Sequence, residues 1–371
     1  MIRVSQALTG PEERAALDAA LARNYFGHAE LVVEFEKELA KWLGRPPEAV
    51  VCVANGTAAL HLALLAAGVG PGDEVIVPSL TFIASFQAVA MTGARAVACD
   101  VSLETMLMEP SHLAAQRTAR TKAVMCVHYG GDSCDLAALS DAAGPDVRIV
   151  EDAAHAFGSS TAHGKVGAAG DLVCFSFDSI KNITCGEGGA VVCASEEDAA
   201  RVRTARHLGM RNRDSGVAPM TVDAPGFRYH MSNLNAAFGL AQLPKANQFI
   251  ARRREICASY DAAFTGLAGI TVPPRDWNAV APHIYVVRVL NGHRDAFRAA
   301  LDQQGIQTGF NYPPNHRHQY FRSGATLANT DRLAAELVTL PLHCAMTDVD
   351  VEQVCAAVQA FDAQHAAGAS R

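Results

Sequence analysis

Lysine is scarce in this chain. The 371 residues include 31 lysines and arginines together, but lysine occurs only at Lys37, Lys41, Lys122, Lys165, Lys181 and Lys245. Five of these positions fit helix faces, strand starts or turns. Lys181 instead follows an apolar run and precedes Gly186-Glu187-Gly188-Gly189, which is a poor place for a merely solvated charge. Among the other five lysines, only Lys165, in a glycine-rich turn, is an alternative candidate for a reactive lysine. Lys181 is therefore the first candidate for chemistry.

Other features are missing as well. The ten cysteines include no C-x-x-C pair, and most stand singly in apolar runs, which is typical of reduced thiols in a cytoplasmic protein and favours neither disulfides nor a metal site. The N-terminus lacks the apolar core of a signal peptide. The longest apolar run, Ala58 to Val69, is too short to span a bilayer. A net charge of −7 disfavours nucleic acid as the main partner.

What is present is a sizeable potential core, since 50% of the residues are hydrophobic and 19% are charged. Short apolar segments alternate with segments of helical periodicity. The predicted strands are Val50–Val53, Glu74–Val77, Ala96–Cys99, Ala123–Val127, Val147–Val150, Leu172–Phe177 and Ala190–Cys193. The predicted helices include Pro11–Arg23, Ala29–Leu43, Gly56–Ala67, Phe82–Met91 and Asp135–Ala143. This alternation predicts the α/β class, with a mostly parallel sheet flanked by helices.

The character of the chain changes after Gln242-Leu243-Pro244. A charged helix is predicted over Phe249–Phe264, then a strand near Ile284–Leu290, a helix near Arg294–Gln304, and a closing helix after Asp350. We therefore predict a large cofactor-binding domain over residues 1–245 and a smaller α+β domain over residues 246–371.

Three polar side chains follow two of the predicted strands. Asp152 follows Val147–Val150, while Ser176 and Lys181 lie at the end of Leu172–Phe177. Ligands of open α/β sheets bind beyond the carboxyl ends of the strands. An acid, a hydroxyl and a lysine at that edge suit pyridoxal phosphate. The lysine amine can bond to the aldehyde carbon, and the acid can keep the pyridine nitrogen protonated so that the ring accepts electrons.

Two segments carry a family resemblance, Glu151-Asp152-Ala153-Ala154-His155-Ala156 and the stretch from Gly170-Asp171 to Gly188-Gly189. They resemble the DegT-like nucleotide-sugar aminotransferases, which are fold-type I pyridoxal-phosphate enzymes. The resemblance runs from about Tyr25 to about Val354. It implies Lys181 as the covalent anchor and acid/base, Asp152 as the partner of the pyridine nitrogen, and a homodimer with shared active sites.

The resemblance also implies further cofactor contacts. Asn55-Gly56-Thr57 lies between a strand and a helix, where glycine and free amides favour an anion, although Asn55 could be an ordinary helix cap. In the family, Gly56, Thr57 and Ser176 would contact the phosphate. Phe82 would stack on the pyridine ring, and His155 would lie beside its hydroxyl.

Two segments depart from the family pattern. In Gly226-Phe227-Arg228-Tyr229-His230-Met231, Arg228 stands at an asparagine position and His230 at an arginine position. In the stretch from Asn311 to His316, Asn311 replaces the first histidine. We predict that Arg228 binds the neighbouring subunit's cofactor phosphate or the substrate diphosphate. The predicted substrate contacts are His230, His283, Tyr312 and His316, and Tyr285 completes an H-x-Y pair with His283.

The predicted reaction is amino transfer from an amino acid, by family analogy L-glutamate, to a keto group of a nucleotide-linked deoxysugar. One cofactor would carry the amino group between two half-reactions. Two alternatives stay open, an aminotransferase of a free keto-cyclitol in aminoglycoside assembly and a non-catalytic regulator that binds the cofactor or the sugar. A sugar 3-dehydratase is disfavoured because those relatives carry histidine where this chain has Lys181. Cys185 could suggest a desulfurase, but a small residue in a tight loop accounts for it better.

Overall fold

A computed structural model describes residues 1–211 and 219–366. Its strands are β1 (Val50–Val53), β2 (Glu74–Pro78), β3 (Arg95–Cys99), β4 (Thr121–Val127), β5 (Arg148–Asp152), β6 (Ser160–Thr161), β7 (Gly164–Lys165), β8 (Leu172–Ser176), β9 (Gly189–Cys193), β10 (Met210–Arg211), β11 (Thr221–Val222), β12 (Ile270–Thr271), β13 (Tyr285–Val289) and β14 (Leu337–Leu340). Its α-helices are α1 (Pro11–Ala22), α2 (Glu30–Leu43), α3 (Gly56–Ala66), α4 (Ile83–Met91), α5 (Pro110–Gln116), α6 (Leu136–Ala143), α7 (Glu196–Arg206), α8 (Asn233–Gln242), α9 (Ala246–Phe264), α10 (Arg294–Gln303), α11 (Ala328–Glu336) and α12 (Asp348–Ala366).

Seven strands form the main sheet, in the order β1-β9-β8-β5-β4-β2-β3. Pairing is parallel throughout β3, β2, β4, β5 and β8, whereas β9 is antiparallel to both of its neighbours. The connection from β8 to β9 contains no helix, so the chain returns directly beside the strand that it has just left. The predicted α/β class with a mostly parallel sheet is confirmed.

Side chains of the main sheet alternate between two helical layers. Val51 and Val53 pack in a core cluster with α3, α4 and α7, whereas Val50 and Cys52 pack in a second cluster with α2 and α8. All four are fully buried. A strand buried on both faces needs an unbroken apolar run, which explains why β1 reads Val-Val-Cys-Val without a polar residue.

A second, antiparallel sheet of β12, β13 and β14 packs against α9, α10 and α12 around its own core cluster. The N-terminus adds an edge contact there. The Ile2 N–H donates to the Gly305 carbonyl at 2.7 Å, and the Gln307 N–H donates to the Ile2 carbonyl at 2.9 Å. The first residues of the chain therefore pack beside the segment that follows α10. In residues 1–211 and 219–366, no helix combines the length and the apolarity that a membrane crossing requires.

The structure contains elements for which the sequence patterns led to no prediction. They are the helices α5, α7, α8 and α11, the strand β14, and the two-residue strands β6, β7, β10, β11 and β12. Several predicted boundaries shift by a few residues. The strand predicted over Val147–Val150 runs from Arg148 to Asp152 and so includes Asp152. Phe82 is the extended N-cap residue of α4, with φ −62° and ψ 145°, and is not its first helical residue.

Candidate active site

The predicted acid and hydroxyl end adjacent parallel strands. Asp152 is the last residue of β5 and Ser176 the last of β8, and these strands pair directly. The carboxyl end of β1, which leads into Gly56, lies at the same edge of the sheet. There Gly189, the first residue of β9, pairs with Val53 of β1 on one side and with Ser176 of β8 on the other. The strands therefore bring together residues that are far apart in the chain.

The start of α3 closes tightly on Ser176. A Cβ placed on Gly56 would lie 2.8 Å from the Ser176 Cβ, and one placed on Gly189 would lie 2.5 Å from the Asn55 carbonyl oxygen. A larger residue at Gly56 would push the start of the helix away from β8, and one at Gly189 would push it away from β9. The Asn55 side chain caps the helix by accepting from the Ala58 N–H at 2.9 Å. The N–H groups of Gly56 and Thr57 belong to the same first turn, which lacks intrahelical acceptors and favours an anion.

Asp152 is buried, with 5% of its surface exposed. The Ser85 hydroxyl donates to its Oδ2 at 2.8 Å, and the Ala154 N–H donates to its Oδ1 at 3.2 Å. Burial is the main effect on the Asp152 pKa and raises it, while these hydrogen bonds and the nearby Lys181 charge lower it. A buried carboxylate in this setting is stabilised by a cation such as a protonated pyridine nitrogen. Ser85 was not a predicted site residue.

Lys181 lies beyond Ser176, and its Nζ is 3.3 Å from the Nε2 of His283. Burial lowers the pKa of Lys181 to about 8, and the charge of Arg253 acts in the same direction, while Asp152 and Asp178 oppose the shift. A lysine with a lowered pKa is partly neutral near physiological pH and can act as a nucleophile and as a base. The predicted rival Lys165 is engaged elsewhere, because its Nζ donates to the Trp42 carbonyl at 2.9 Å and lies over the Trp42 ring.

Three predicted side chains form a connected group beside Lys181. The Nδ1 of His155 accepts from the Gly130 N–H at 3.2 Å, so that its Nε2, 2.8 Å from the Tyr312 hydroxyl, carries the hydrogen. The His155 and His283 rings lie 4.3 Å apart between centroids. Burial is the main cause that lowers the pKa of both imidazoles well below the usual value. Both rings are therefore neutral.

Phe82 lies at the open side of this group. Its ring is 5.6 Å from that of Tyr312 between centroids, and 54% of the residue is exposed. Burial of a phenylalanine is the ordinary expectation in an α/β protein, so an exposed ring at the strand-end edge is consistent with a stacking surface for a planar ligand.

Two predicted residues point elsewhere. Tyr285 is buried in the core of the second sheet and donates to Asp261 at 2.6 Å. The ring nitrogens of His316 face the Ser79 hydroxyl at 2.7 Å and the Asp331 carboxylate at 3.2 Å. Those contacts hold the loop that carries Tyr312, and a direct contact between His316 and the substrate stays a prediction.

Arg228 and His230 lie on one side of an extended segment. Phe227 and Tyr229 stack on each other, 4.9 Å apart, and both pack against His61. Because side chains alternate along an extended chain, residues 228 and 230 share the opposite side. Arg228 is exposed, and its role stays a prediction.

Supporting residues escaped the sequence analysis. Asn182 Nδ2 donates to the carbonyls of Phe157 and Ala281, each at 3.2 Å, and so fixes the residue after Lys181. Arg253 Nη1 donates to the His283 carbonyl at 3.1 Å. Asn182 could have been found from its place beside Lys181, whereas Arg253 is one of three consecutive arginines that the sequence does not distinguish.

Taken together, these residues fit pyridoxal phosphate. The cradle at Gly56 and Ser176 suits its phosphate, the buried Asp152 suits its ring nitrogen, and Lys181 can bond to its aldehyde carbon. When bound, this cofactor supplies an electron sink for bonds broken at the carbon that bears the amino group.

The comparisons with known proteins agree. Residues 8–359 match the model of the DegT/DnrJ/EryC1/StrS aminotransferase family. The chain is 35% identical to the aminotransferase TlmJ from Streptoalloteichus hindustanus, covering 99% of this chain and 100% of that one with a TM-score of 0.93. It is 30% identical to the sugar aminotransferase CalS13 from Micromonospora echinospora, with coverages of 97% and 100% and a TM-score of 0.90.

A third similar structure is the pyridoxal-phosphate form of Spr1654 from Streptococcus pneumoniae. It is 25% identical, with coverages of 98% and 99% and a TM-score of 0.91. Sequence, architecture and site geometry thus point the same way: the chain belongs to the DegT/DnrJ/EryC1/StrS aminotransferase family and is a fold-type I, pyridoxal-phosphate-dependent aminotransferase.

Proposed function

We propose that this enzyme moves an amino group from an amino acid, L-glutamate, to the keto group of a nucleotide-linked deoxysugar. The proposal is supported chiefly by the position of Lys181 near Asp152 and His283. Its pKa, lowered to about 8, suits amino-group chemistry. The similar proteins CalS13 and Spr1654 are described as sugar aminotransferases, which supports a sugar as the acceptor.

In this proposal each side chain has a defined task. Lys181 Nζ would move a proton between the carbon that bears the amino group and the aldehyde carbon of the cofactor. Asp152, held by Ser85, keeps the ring nitrogen protonated. His155 and Tyr312, joined by a hydrogen bond, hold the edge of the ring, and the exposed Phe82 covers one of its faces. Because Phe82 is exposed, an acceptor could approach the ring from the solvent side.

An incubation series tests the substrate assignment. The purified enzyme is treated with L-glutamate, the amine-loaded form is isolated, and it is offered a panel of nucleotide-linked keto-sugars and free keto-cyclitols. We expect formation of 2-oxoglutarate in the first step and, in the second, return of the aldehyde-form absorbance only with a nucleotide-linked sugar. Faster return with a free keto-cyclitol would overturn the nucleotide assignment, and no loading by L-glutamate would overturn the donor.

A further inference from the structure

A cavity of about 230 Å³ adjoins the lysine side of the active site. Its apolar wall consists of Val4, Ile180, Ile284, Phe310, Leu340 and Leu342, and its polar side chains are Ser5, His283, Asn311 and Thr339. None of the lining residues that the structure describes is charged. The volume far exceeds the roughly 30 Å³ that one liquid water occupies, so the cavity can hold a small organic group.

His283 connects this cavity to Lys181. Its Nε2 is 3.3 Å from Lys181 Nζ, and among the described residues its buried Nδ1 has no hydrogen-bond partner. The lowered pKa keeps the ring neutral, so only one nitrogen carries hydrogen. When Lys181 is not bonded to the cofactor and is protonated, it donates to Nε2, and the imidazole hydrogen is then on Nδ1. A buried N–H without an acceptor is unfavourable, so a ligand oxygen would satisfy it.

Asn311 offers a second donor. Its Oδ1 accepts from the Thr339 hydroxyl at 2.7 Å, which fixes the orientation of the amide. One Nδ2 hydrogen is donated to the Tyr312 hydroxyl, and the other is left for a ligand acceptor. Ser5, from the N-terminal segment, brings a hydroxyl to the same wall. An imidazole N–H, an amide NH₂ and a hydroxyl form a neutral donor set, and the ammonium of Lys181 lies on the far side of His283.

We propose that this cavity receives a carboxylate group of the amino-acid donor, held by Asn311, His283 and Ser5. The inference rests on the proposed function, in which an amino acid supplies the amino group. A carboxylate accepts several hydrogen bonds at once, and it meets no acidic side chain in this lining. A nucleotide diphosphate is too large for the cavity, which is why the donor is the occupant and the sugar acceptor lies outside it.

The discriminating variant is Asn311→Asp. It keeps an oxygen for the Thr339 hydroxyl but replaces the amide donor with an anionic oxygen. We expect the dissociation constant of L-glutamate, from single-turnover absorbance of the donor half-reaction, to rise about 10- to 100-fold, the loss usual for a hydrogen bond to a charged group. The KM of the keto-sugar stays unchanged. Asn278 is exposed and is not part of the cavity lining, so Asn278→Asp adds the same charge elsewhere and is the matched control.

Binding without turnover provides a second measurement. The affinity of glutarate, a dicarboxylate without an amino group, is measured by calorimetry on the amine-loaded enzyme, in which Lys181 is not bonded to the cofactor. This affinity falls in Asn311→Asp and, by a smaller factor, in Ser5→Ala. If Asn311→Asp does not fold, the glutarate affinity of Ser5→Ala alone tests the cavity assignment. Unchanged affinity in both variants, or a rise in the keto-sugar KM alone, overturns the cavity assignment. A wild-type enzyme that consumes no L-glutamate contradicts the proposed donor instead, so the two failures are distinct.

Discussion

At the scale of single residues, Lys181 should carry the cofactor. Its Nζ is the only lysine nitrogen beside the Asp152 and His283 cluster within the described part of the chain, whereas Lys165 is held by Trp42. We expect borohydride reduction of the holoenzyme, followed by peptide mass mapping, to place the cofactor mass on Lys181. A label on Lys165, or no label on any lysine, would show that the anchor is misassigned.

Cofactor loading should depend on pH through the same amine. Burial lowers the pKa of Lys181 to about 8, and only the neutral amine attacks an aldehyde carbon. Below pH 8 the neutral fraction falls about tenfold per pH unit. We therefore expect the rate constant for covalent loading of the apoenzyme to rise steeply between pH 6 and pH 8 and to level above it. A midpoint near 10.5, the ordinary lysine value, would contradict the shift.

Asp152→Asn should preserve the fold and remove most of the activity. An amide cannot keep the pyridine nitrogen protonated, and we expect kcat to fall about 100-fold or more, as for other groups that stabilise reaction charge. Ser85→Ala should lower kcat by about tenfold, because the buried carboxylate loses one hydrogen bond. Circular dichroism and thermal melting check folding. Near-parental turnover of a cofactor-bound Asp152→Asn variant would exclude Asp152 as the partner.

At the scale of elements, the contact between α3 and β8 forms the phosphate cradle. Gly56→Ala would place a methyl group 2.8 Å from the Ser176 Cβ, and overpacking of this kind costs about 1–3 kcal/mol. We expect the affinity for pyridoxal phosphate to fall by about tenfold or more. Gly70→Ala is the control, because a Cβ there meets nothing within 4 Å. Equal affinities of the two variants would contradict the cradle.

Apolar runs predicted the central strands because a strand that is buried on both faces tolerates few polar residues. The helices that were not predicted show neither an apolar run nor a clear helical periodicity. Helix α8 contains Gly239, which disfavours a helix locally, yet a Cβ there would lie 2.6 Å from Cys185 Sγ and 2.7 Å from the Phe35 ring. Helix α7 is strongly charged, although Ser195 caps it by accepting from the Asp198 N–H at 3.1 Å. Close packing and caps, which periodicity does not reveal, determine these helices.

The active-site residues likewise include some that the local sequence predicts and some that it does not. Asp152, Ser176 and Lys181 were predictable because each lies at or just beyond the end of an apolar strand and matches a family motif. Ser85 was not, because its contact with Asp152 joins residues 67 positions apart. Nothing in the local sequence distinguishes such a serine from any other polar residue near the start of a helix.

At the scale of the whole molecule, two arrangements stay predictions, the division into domains 1–245 and 246–371 and the homodimer with shared sites. The dimer prediction depends on the segment from Gly226 to Met231. Its core side, Phe227 and Tyr229, packs on His61, while Arg228 is exposed on the other side. An exposed arginine suits an anionic group on another subunit, since its planar fork of donors matches phosphate oxygens.

Light scattering should detect a dimer, and Arg228→Ala should weaken the binding of pyridoxal phosphate, or raise the KM of the sugar if Arg228 contacts the diphosphate. A loss of about 1.5–3 kcal/mol is usual for a hydrogen bond to a charged group. The exposed Arg322→Ala is the control for lost surface charge. A catalytically competent monomer would exclude shared sites, and unchanged cofactor affinity and kinetics would exclude a role for Arg228.

Mixed dimers test whether Arg228 acts in the active site of its own subunit or in that of the neighbouring subunit. One subunit carries Lys181→Ala and the other Arg228→Ala, and each variant alone forms a defective homodimer. If Arg228 acts in its neighbour's site, the mixed dimer contains one site with both Lys181 and Arg228 intact, and activity returns to about half of the parental value per dimer, because sites of this kind act independently by default. If Arg228 acts in its own subunit, every site in the mixture keeps one defect. Activity that does not exceed the sum of the two homodimers would therefore place Arg228 in its own site.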